Sequence, residues 1–381
     1  METGTLGRVS HHLPHLDLLA DPVALTAALV DIPSPSHEEE LLADAVEAAL
    51  RRVPGVETLR RGNTVAARTT LGRDTRVVLA GHLDTVPISD NVPHHMDGDV
   101  MYGCGTVDMK SGLAVYLHSF AALAGDPDLA HDLTLIAYEC EEVDTRYNGL
   151  AHLAESDPEW LHGDLALLGE PSGAIVEAGC QGTLRVKVTA RGVRAHSARG
   201  WLGDNAAHKL AEVVGRIAAY EGQRIVVDGM EYREGINVVQ LQSFVATNVI
   251  PDEAGMLVNY RFAPHRSGEE ALEHLLEVLG VDGRDDITVE TQDLAEGARP
   301  GLDRPAAAAL VDAVGGQVRA KYGWTDVARF SGLGVPAVNF GAGDPSWAHK
   351  RDEHVPVADI TLVAEQLRAY LTTPAPSAPT R

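Results

Sequence analysis

Three short apolar runs recur along the first half of the 381-residue chain, and they restrict its fold more than any other feature. The runs are Arg76–Ala80, Leu133–Tyr138 and Leu165–Leu168, and helical stretches such as Met109–Leu123 alternate with them. Short apolar runs that alternate with helices are typical of an α/β sheet with at least some parallel strands. We therefore expect an α/β fold whose main domain has a mixed sheet flanked by helices.

A histidine or a glutamate follows each of these runs. His82 comes after the first run, Glu141 after the second and Glu170 after the third. Because ligands of such sheets gather outside the carboxyl ends of the strands, we expect the three side chains at one edge of one sheet. Imidazole and carboxylate groups are donors that zinc and related divalent cations accept, so this edge is a candidate metal site.

The pattern of the chain changes at about Gly182. Strands and helices then follow in the order βαββαβ, which predicts a small ferredoxin-like unit inserted into the main domain. Its predicted elements are Thr183–Ala190, Asn205–Tyr220, Asn237–Val245, Met256–Phe262, Gly268–Leu279 and Ile287–Glu290. We expect a main domain of residues 1–181 and 292–381, an insert of residues 182–291 and a disordered tail at residues 372–381.

Two helices are predicted before the first strand, at residues 17–31 and 37–53, with prolines between them. Ser36 followed by Glu39 fits a capping box at the start of the second helix. Apolar residues then recur at helical spacing through that segment.

Composition excludes several classes of partner. The formal net charge of −24 opposes binding to nucleic acid or to anionic membranes. No apolar run approaches a membrane span, and the N-terminal stretch does not resemble a signal peptide. Three cysteines without a CxxC motif favour reduced thiols, so we expect a cytoplasmic enzyme.

The pair His82 and Asp84 is one of four HxD pairs in the chain, so this spacing alone is a weak signal. An ordinary surface pair is the commoner explanation of such a motif. His82 differs because a strand precedes it and a rigid Thr-Val-Pro turn follows Asp84. Asp84 is then predicted to hold the imidazole of His82 and to fix the tautomer that binds metal.

Three further acidic residues permit metal chemistry and also an ordinary structural role. Asp108, between two glycines and before a helix, would bridge two cations or would merely cap the helix. Glu141 and Glu142 would serve as general base and metal ligand, because adjacent residues leaving a strand point in different directions. The ordinary alternative for this pair is a solvated run of charges.

Glu170 in a Gly-Glu-Pro turn and His349 near the carboxyl end are weak candidates when each is considered alone. A simple turn residue and an ordinary surface or core histidine are the alternatives. Their weight comes from the full set, because the motifs together supply two histidines and four carboxylates. This mixed N/O donor set suits zinc and its neighbours.

Three arginines lie within nine residues around His196, in a chain that is otherwise acidic. A solvated loop after a strand explains this cluster as well as an anion-binding patch does. In the functional interpretation, His196 donates to a developing oxyanion and Arg194 contacts a substrate carboxylate. Further candidates for carboxylate contacts are Asn248, Arg261, Thr325 and Arg329.

These segments together resemble the aminoacylase, acetylornithine deacetylase and carboxypeptidase family of co-catalytic zinc peptidases and deacylases. The resemblance extends over about residues 15–372. It is carried by Ala80–Pro87, Met101–Tyr116, Ala137–Glu142, Gly192–Arg199, Gly323–Asp326 and Phe340–Pro345. The chain departs from the usual family pattern at Cys140, where Asp is commoner, and at Ala342, where Pro is commoner.

The resemblance implies a role for each candidate and a homodimer formed through the inserted domain, which would also act as a lid. The implied roles are His82 and Glu170 on one zinc, Glu142 and His349 on the other, Asp108 as the bridge, Glu141 as general base, Asp84 as a catalytic residue beside His82, and His196 as an oxyanion donor across the dimer interface. A cis peptide bond after Asp108 is also implied.

The resemblance further implies a metal-dependent hydrolase that cleaves the amide bond of an N-acyl amino acid. The longer matches favour N-succinyl-LL-2,6-diaminopimelate as substrate, with N-acetylornithine as the alternative. Two divalent cations are expected, zinc first, with cobalt or manganese as alternatives at one position. A non-catalytic binding protein and a purely structural metal site are disfavoured, because the ligand set is complete and leaves room for water.

Overall fold

The computed structural model describes residues 13–374, and nine α-helices lie in this range. Two of them show how local sequence starts a helix: Asp21 caps the first, and Ser267 with Glu270 forms a capping box at the sixth. The helices are α1 Pro22–Val30, α2 Glu40–Leu50, α3 Lys110–Leu123, α4 Gly149–Ser156, α5 Ala206–Ala218, α6 Gly268–Leu279, α7 Pro305–Ala313, α8 Val327–Gly332 and α9 Val357–Leu371.

Nineteen β-strands lie in the same described range and form one sheet of eight strands, one of four and three smaller sheets. The strands are β1 Glu57–Arg61, β2 Thr64–Arg68, β3 Arg76–His82, β4 His95–Asp97, β5 Val100–Tyr102, β6 Asp132–Tyr138, β7 Leu165–Leu168, β8 Val176–Ala178, β9 Gly182–Arg191, β10 Ala195–His196, β11 Arg224–Val227, β12 Met230–Arg233, β13 Gly235–Gln242, β14 Val249–Ile250, β15 Glu253–Phe262, β16 Ile287–Ala295, β17 Val318–Ala320, β18 Ala337–Asn339 and β19 His354–Pro356.

The largest sheet has the strand order β1-β2-β6-β3-β7-β18-β8-β17. Strand β3 runs parallel to β6 and β7, whereas β2 is antiparallel to β1 and β6, so the sheet is mixed. Strands β6 and β7 are buried along their whole length, as a sheet covered on both faces requires. Helix α3 packs against β3 and against α1 and α9. The predicted mixed sheet flanked by helices is therefore confirmed.

Parallel pairing brings the carboxyl ends of β3, β6 and β7 to one edge of this sheet. His82 at the end of β3 lies opposite Tyr138 at the end of β6, and Ala80 lies opposite Leu168 at the end of β7. The segments that follow these three strands therefore leave the sheet on the same side. This is the edge that the apolar runs predict.

The four-stranded sheet is antiparallel and has the order β13-β15-β9-β16. Along the chain, β9 is the first strand of a βαββαβ unit, β13 the second, β15 the third and β16 the fourth, and the helices of this unit are α5 and α6. Alternate residues of β9, among them Leu184, Val186 and Val188, are buried and belong to one core with the apolar faces of both helices. The predicted ferredoxin-like unit is confirmed.

The chain divides into two compact units. Of the described residues, the first unit contains those up to Val176, Leu302–Val318 and those from Val338, and the second contains Glu177–Gly301 and Arg319–Ala337. The second unit therefore includes the predicted insert of residues 182–291 and extends beyond it. Within this unit Glu177 pairs with Arg319 at 2.7 Å and with Lys321 at 3.0 Å. Apolar spacing does not reveal ion pairs between residues so far apart in sequence.

The predicted capping box at Ser36 and Glu39 is wrong. Helix α2 begins after Glu39, whose side chain makes no capping hydrogen bond. The buried Glu39 carboxylate instead accepts the N–H of Cys140 at 3.3 Å, and Ser36 Oγ donates to Asp84 Oδ2 at 2.8 Å. These contacts with distant loops replace the local cap.

Three smaller expectations concern the tail, membrane spans and cysteines. Residues 375–381 of the predicted tail lie outside the described residues. Between residues 13 and 374, no helix combines the length and the apolar character needed to cross a bilayer. Cys104, Cys140 and Cys180 are buried and carry free thiols.

Candidate active site

His82 is fully buried at the carboxyl end of β3, and its ring is held on both sides. Nδ1 lies 2.9 Å from the main-chain oxygen of Asp84, and Nε2 lies 3.2 Å from Oδ1 of Asp108. A main-chain oxygen only accepts, so Nδ1 carries the proton and Nε2 is the nitrogen available to a metal.

Asp108 lies two residues before the first residue of α3 and does not cap this helix, because the N-cap position is Met109. Its two carboxylate oxygens face different histidines: Oδ1 lies 3.2 Å from Nε2 of His82, and Oδ2 lies 3.2 Å from Nε2 of His349. The Asp108–Met109 peptide bond is cis, as the resemblance implied. A carboxylate that bridges two cations would need its two oxygens to face in different directions, as those of Asp108 do.

Close packing of two glycines brings α3 to the end of β7. A Cβ atom at Gly112 would overlap the main-chain oxygen of Gly169, and one at Gly169 would lie 2.7 Å from the side chain of Met109. Glycine at both positions therefore allows the start of α3 to approach the turn that carries Glu170. Glu170 itself is buried, with 5% of its surface exposed.

Two groups of donors form around Asp108, and their ligand atoms lie within 4.8 Å of one another in each group. The first group is His82, Asp108 and Glu170, and the second is Asp108, Glu142 and His349. In the second group His349 Nε2 lies 2.8 Å from Glu142 Oε1. One imidazole and one terminal carboxylate per group, with a shared carboxylate, fit a pair of divalent cations such as zinc.

The loop after β6 is held by the Asp84 carboxylate. Oδ1 accepts the N–H of Glu141 at 3.0 Å and Oδ2 accepts the N–H of Glu142 at 3.1 Å. Burial alone would raise the pKa of Asp84, but interactions with His82 and with these two N–H groups lower it. The carboxylate thus sets the backbone of Glu141 and Glu142, while its own main-chain oxygen orients His82.

The carboxylates of the site favour positive charge on the neighbouring histidines. Burial alone would lower the pKa of His82, but the carboxylates of Asp108 and Asp84 raise it well above its usual value. Hydrogen bonds with Asp108 and Glu142 raise the pKa of His349 to about 10. Burial opposes ionisation of Asp108, yet His349 and His82 lower its pKa. Four acidic residues around two imidazoles are therefore complementary to cations.

Two buried residues beside the site carry contacts that the sequence patterns did not identify. Oε1 of Glu353 accepts the N–H groups of Val107 at 2.8 Å and Asp108 at 3.1 Å. Nζ of Lys110 donates to the main-chain oxygens of Leu29 at 3.1 Å and Ile32 at 2.8 Å. Burial lowers the pKa of Lys110 to about 8 and raises that of Glu353 to about 7. Lys110 lies inside the segment Met101–Tyr116 that carries the resemblance, but motif matching does not reveal main-chain hydrogen bonds.

The second unit places three of the other candidates near one another. His196 ends β10, which pairs with β14, and its Nδ1 accepts the N–H of Ala198 at 3.0 Å. Its neighbour Ser197 donates its N–H to the main-chain oxygen of Asn248 at 2.9 Å. Arg194 is exposed and forms an ion pair with Asp252 at 2.8 Å. The side chain of His196 is exposed, as a donor to an incoming substrate would be.

The remaining candidates also belong to the second unit, including two that the predicted boundaries assign to the main domain. Arg261 is half-buried on β15, where burial and the nearby Arg185 lower its pKa. Thr325 is buried, and Arg329 donates to Asp326 at 3.0 Å. The structure thus brings His82, Asp108, Glu141, Glu142, Glu170 and His349 together in the first unit. Their roles and those of the second-unit candidates stay predictions.

Comparison with known families and proteins gives consistent matches over nearly the whole chain. The sequence model of "Peptidase family M20/M25/M40" matches residues 78–373. A succinyl-diaminopimelate desuccinylase of Corynebacterium glutamicum is 60% identical over 362 residues, which cover 94% of this chain and 98% of that protein. A putative succinyl-diaminopimelate desuccinylase of Mycobacterium tuberculosis is 56% identical over 357 residues, which cover 93% and 99%.

Solved structures support the fold at much lower identity. An M20 family metallo-carboxypeptidase of Sulfolobus solfataricus matches with a TM-score of 0.75 and 17% identity, covering 92% of this chain and 98% of that one. The aminopeptidase PepT of Bacillus cereus also matches with a TM-score of 0.75, at 18% identity and with 92% and 97% covered. The match of the family model and of these relatives extends over both units, and the chain therefore belongs to peptidase family M20/M25/M40.

Proposed function

We propose that this protein hydrolyses N-succinyl-LL-2,6-diaminopimelate to succinate and LL-2,6-diaminopimelate, with a pair of divalent cations as cofactor. The observation that carries the hydrolytic part is the position of Asp108, whose two oxygens face two histidines that belong to different donor groups. The 60% identity to the Corynebacterium glutamicum desuccinylase supports the choice of substrate.

One cation would be held by His82 and Glu170 and the other by Glu142 and His349, with Asp108 common to both. Zinc is the proposed metal, and the same donors would accept cobalt or manganese at one position. When bound, the pair would lower the pKa of a water molecule and neutralise negative charge on the carbonyl oxygen.

Glu141 is the proposed general base. It lies beside His82 and Glu142 and its N–H is fixed by Asp84. Glu141 takes a proton from the attacking water as the water oxygen bonds to the carbonyl carbon of the amide. When the C–N bond breaks, Glu141 gives that proton to the departing amine nitrogen. The second proton of the water then passes from the new carboxyl group to the amine, so the products are a carboxylate and an ammonium group and water is the sole co-reactant.

The second unit would recognise the substrate, which carries three carboxylates and one ammonium group. His196 is the proposed hydrogen-bond donor to the oxyanion, acting across a dimer interface. Arg261 is a further candidate for binding a carboxylate, with Arg185 close to it, although Asp293 lies 3.9 Å from Arg185. Arg194 and Arg329 have carboxylate neighbours already, so substrate would compete with Asp252 and Asp326 for them.

A homodimer formed through the second unit follows from the same proposal. Strand β13 forms one edge of its sheet and exposes Val239 and Leu241, each 58% exposed, and Phe244 beyond it is 82% exposed. An apolar edge strand is a surface that a second copy of the chain would cover. The three buried free thiols support a cytoplasmic location for the enzyme.

Hydrolysis by the zinc-loaded protein, measured side by side on N-succinyl-LL-diaminopimelate and N-acetylornithine, tests the proposal. We expect a preference for the succinyl substrate and a fall in kcat of about 10²- to 10⁴-fold in Glu141→Gln. Metal content should stay at two ions per chain in that variant, because its five proposed ligands are unchanged. Glu139→Gln, a nearby acid that accepts the Asn63 N–H at 3.0 Å, is the matched control.

Preference for N-acetylornithine would keep the hydrolytic proposal and overturn the substrate. Hydrolysis of neither substrate by a protein that holds two metal ions would overturn both. An unchanged kcat in Glu141→Gln would remove Glu141 as the base.

A further inference from the structure

Glu353 is a buried carboxylate at the end of the loop that carries His349. Only 1% of its surface is exposed. Its Oε1 atom lies 2.8 Å from the nitrogen of Val107 and 3.1 Å from the nitrogen of Asp108, so one oxygen accepts two successive N–H groups. The second of these belongs to the residue whose side chain faces both His82 and His349.

The main chain of Glu353 strengthens the same connection. The N–H of Gly103 donates to the main-chain oxygen of Glu353 at 3.0 Å, and β19 begins at the next residue. There His354 pairs with Tyr102 of β5. The loop that carries His349 and the loop that carries Asp108 are therefore joined both by a strand pair and by the Glu353 carboxylate.

The carboxylate contact is the more specific of the two. A single oxygen that accepts two successive N–H groups fixes the direction of both. Loss of the acceptor would deprive the buried N–H of Val107 and the part-buried N–H of Asp108 of this partner, which is costly. The Asp108 backbone would then lose this constraint, although the strand pair would still hold the two loops together.

We propose that Glu353 is a positioning residue that fixes the Asp108 backbone relative to His349, so that Asp108 Oδ2 and His349 Nε2 face one cation. This inference rests on the proposed metal-dependent function. Its effect should therefore be seen at the second metal position, held by Glu142 and His349, more than at the first. Residues that orient ligands in this way typically change metal affinity or activity by about 10- to 100-fold when they are removed.

Three variants and one control test this role. Glu353→Ala removes the acceptor, Glu353→Gln keeps an oxygen at the same reach, and Glu353→Asp withdraws the oxygen but keeps the charge. Asp352→Ala, at the exposed neighbouring carboxylate, is the control. The measurements are Co²⁺ binding to the metal-free protein, the visible absorption spectrum of the cobalt form, kcat and KM, and amide exchange of residues 103–109 before metal is added.

We expect Glu353→Ala to bind the second Co²⁺ about 10- to 100-fold more weakly, with an altered spectrum, a lower kcat and a KM within about twofold of wild type. Amide exchange at residues 103–109 should be faster. Glu353→Gln should restore cobalt affinity and spectrum to within about threefold, because an acceptor is present again. Asp352→Ala should match wild type throughout.

A folded Glu353→Ala protein with the wild-type cobalt spectrum and affinity would overturn the inference, as would Glu353→Gln that is impaired as much as Glu353→Ala. If Glu353→Ala does not fold, Glu353→Asp takes its place, and a wild-type spectrum in that variant overturns the inference. Wild-type protein that binds no pair of cations would overturn the proposed function, and this inference with it. If the wild-type protein binds two metal ions but amide exchange at residues 103–109 is unchanged in Glu353→Ala, only the role of Glu353 is overturned.

Discussion

The imidazole Nδ1 of His82 lies 2.9 Å from the main-chain oxygen of Asp84 and 3.4 Å from the nearest carboxylate oxygen of the same residue. The backbone of Asp84 therefore orients the histidine, and its side chain is directed to the loop of Glu141 and Glu142. The main chain of Asp84 thus positions His82, a predicted metal ligand, and its carboxylate positions Glu141, the predicted base.

Asp84→Asn separates these two roles, because the main-chain oxygen stays and only the carboxylate changes. The amide supplies one oxygen and one NH2 group, so one of the two loop N–H groups would face a donor. We expect kcat to fall by about 10- to 100-fold, with little change in KM, since the base and its neighbour lose their fixed geometry. Steady-state kinetics with the succinyl substrate measure this.

Asp90→Asn is the matched control, because the Asp90 side chain is 86% exposed and its ion pair with Arg351 lies at the surface. It should keep kcat within about twofold of wild type. A wild-type kcat in Asp84→Asn would show that the neutral side chain holds the loop equally well.

His349 is predicted to serve only the second metal position, so its removal should separate the two cations. Nε2 of His349 faces Asp108 and Glu142, whereas Glu170 and His82 belong to the other group. We expect His349→Ala to retain one tightly bound metal ion per chain and to lose activity by at least about 10-fold. Metal analysis after gel filtration gives the stoichiometry.

His95→Ala provides the comparison for that experiment. His95 belongs to another HxD pair, but it lies on the exposed strand β4 and stacks on Tyr102 with ring centroids 4.9 Å apart. This variant should keep both metal ions. Two ions bound to His349→Ala, or one bound to His95→Ala, would contradict the assignment.

Local patterns predicted the elements that depend on local interactions. Leu165–Leu168 and Gly268–Leu279 have the predicted bounds, the first because the run is continuously apolar and the second because a capping box starts it. Short strands were missed where only a partner stabilises them. Strand β4 is exposed at all three residues and depends on its pairing with β5.

The same distinction applies to the site. Motifs predicted the side chains that lie around Asp108, and three of these, His82, Glu142 and Glu170, lie at or just after the end of a strand. They did not identify Glu353 as the acceptor for Val107, a residue 246 positions away in the chain. Motifs also suggested a local cap at Ser36, whose hydroxyl instead donates to Asp84. Hydrogen bonds between distant loops leave no regular spacing in the sequence.

Metal binding should release protons near neutral pH. In the metal-free protein the pKa of His349 is raised to about 10, so its ring holds an extra proton at pH 7.5. Burial lowers the pKa of His82, but Asp108 and Asp84 raise it well above its usual value, which acts in the same direction. A cation must displace that proton, and its apparent affinity should therefore rise as pH rises. Isothermal titration of the apoprotein in two buffers of different ionisation enthalpy counts the protons.

We expect one to two protons to be released for each pair of metal ions, and fewer in His349→Ala. Equal heats in the two buffers, or an affinity that falls as pH rises from 6.5 to 8, would contradict this electrostatic account.

His131 should make stability depend on pH in a different window. It is 1% exposed, its Nδ1 lies 2.6 Å from Thr75 Oγ1, and it stacks on Tyr370. Burial lowers its pKa, so the folded protein keeps it neutral while the unfolded chain takes up a proton near pH 6.5. Proton uptake by the unfolded chain therefore destabilises the fold as pH falls below about 6.5, and this loss stops once the folded pKa is reached. Each unit by which the pKa is lowered accounts for at most about 1.4 kcal/mol.

Thermal unfolding between pH 5 and 8 in the presence of a chelator measures this effect without metal linkage. His131→Gln, which keeps a polar group within reach of Thr75, should lose less of its melting temperature than wild type as pH falls from 7 to 5.5. His208→Gln, at an exposed position on α5, should follow the wild-type curve. Parallel curves for wild type and His131→Gln would mean that the buried imidazole becomes charged in the folded protein at little cost. The stacked, Thr75-bonded environment would then have to stabilise the imidazolium, against the direction in which burial acts.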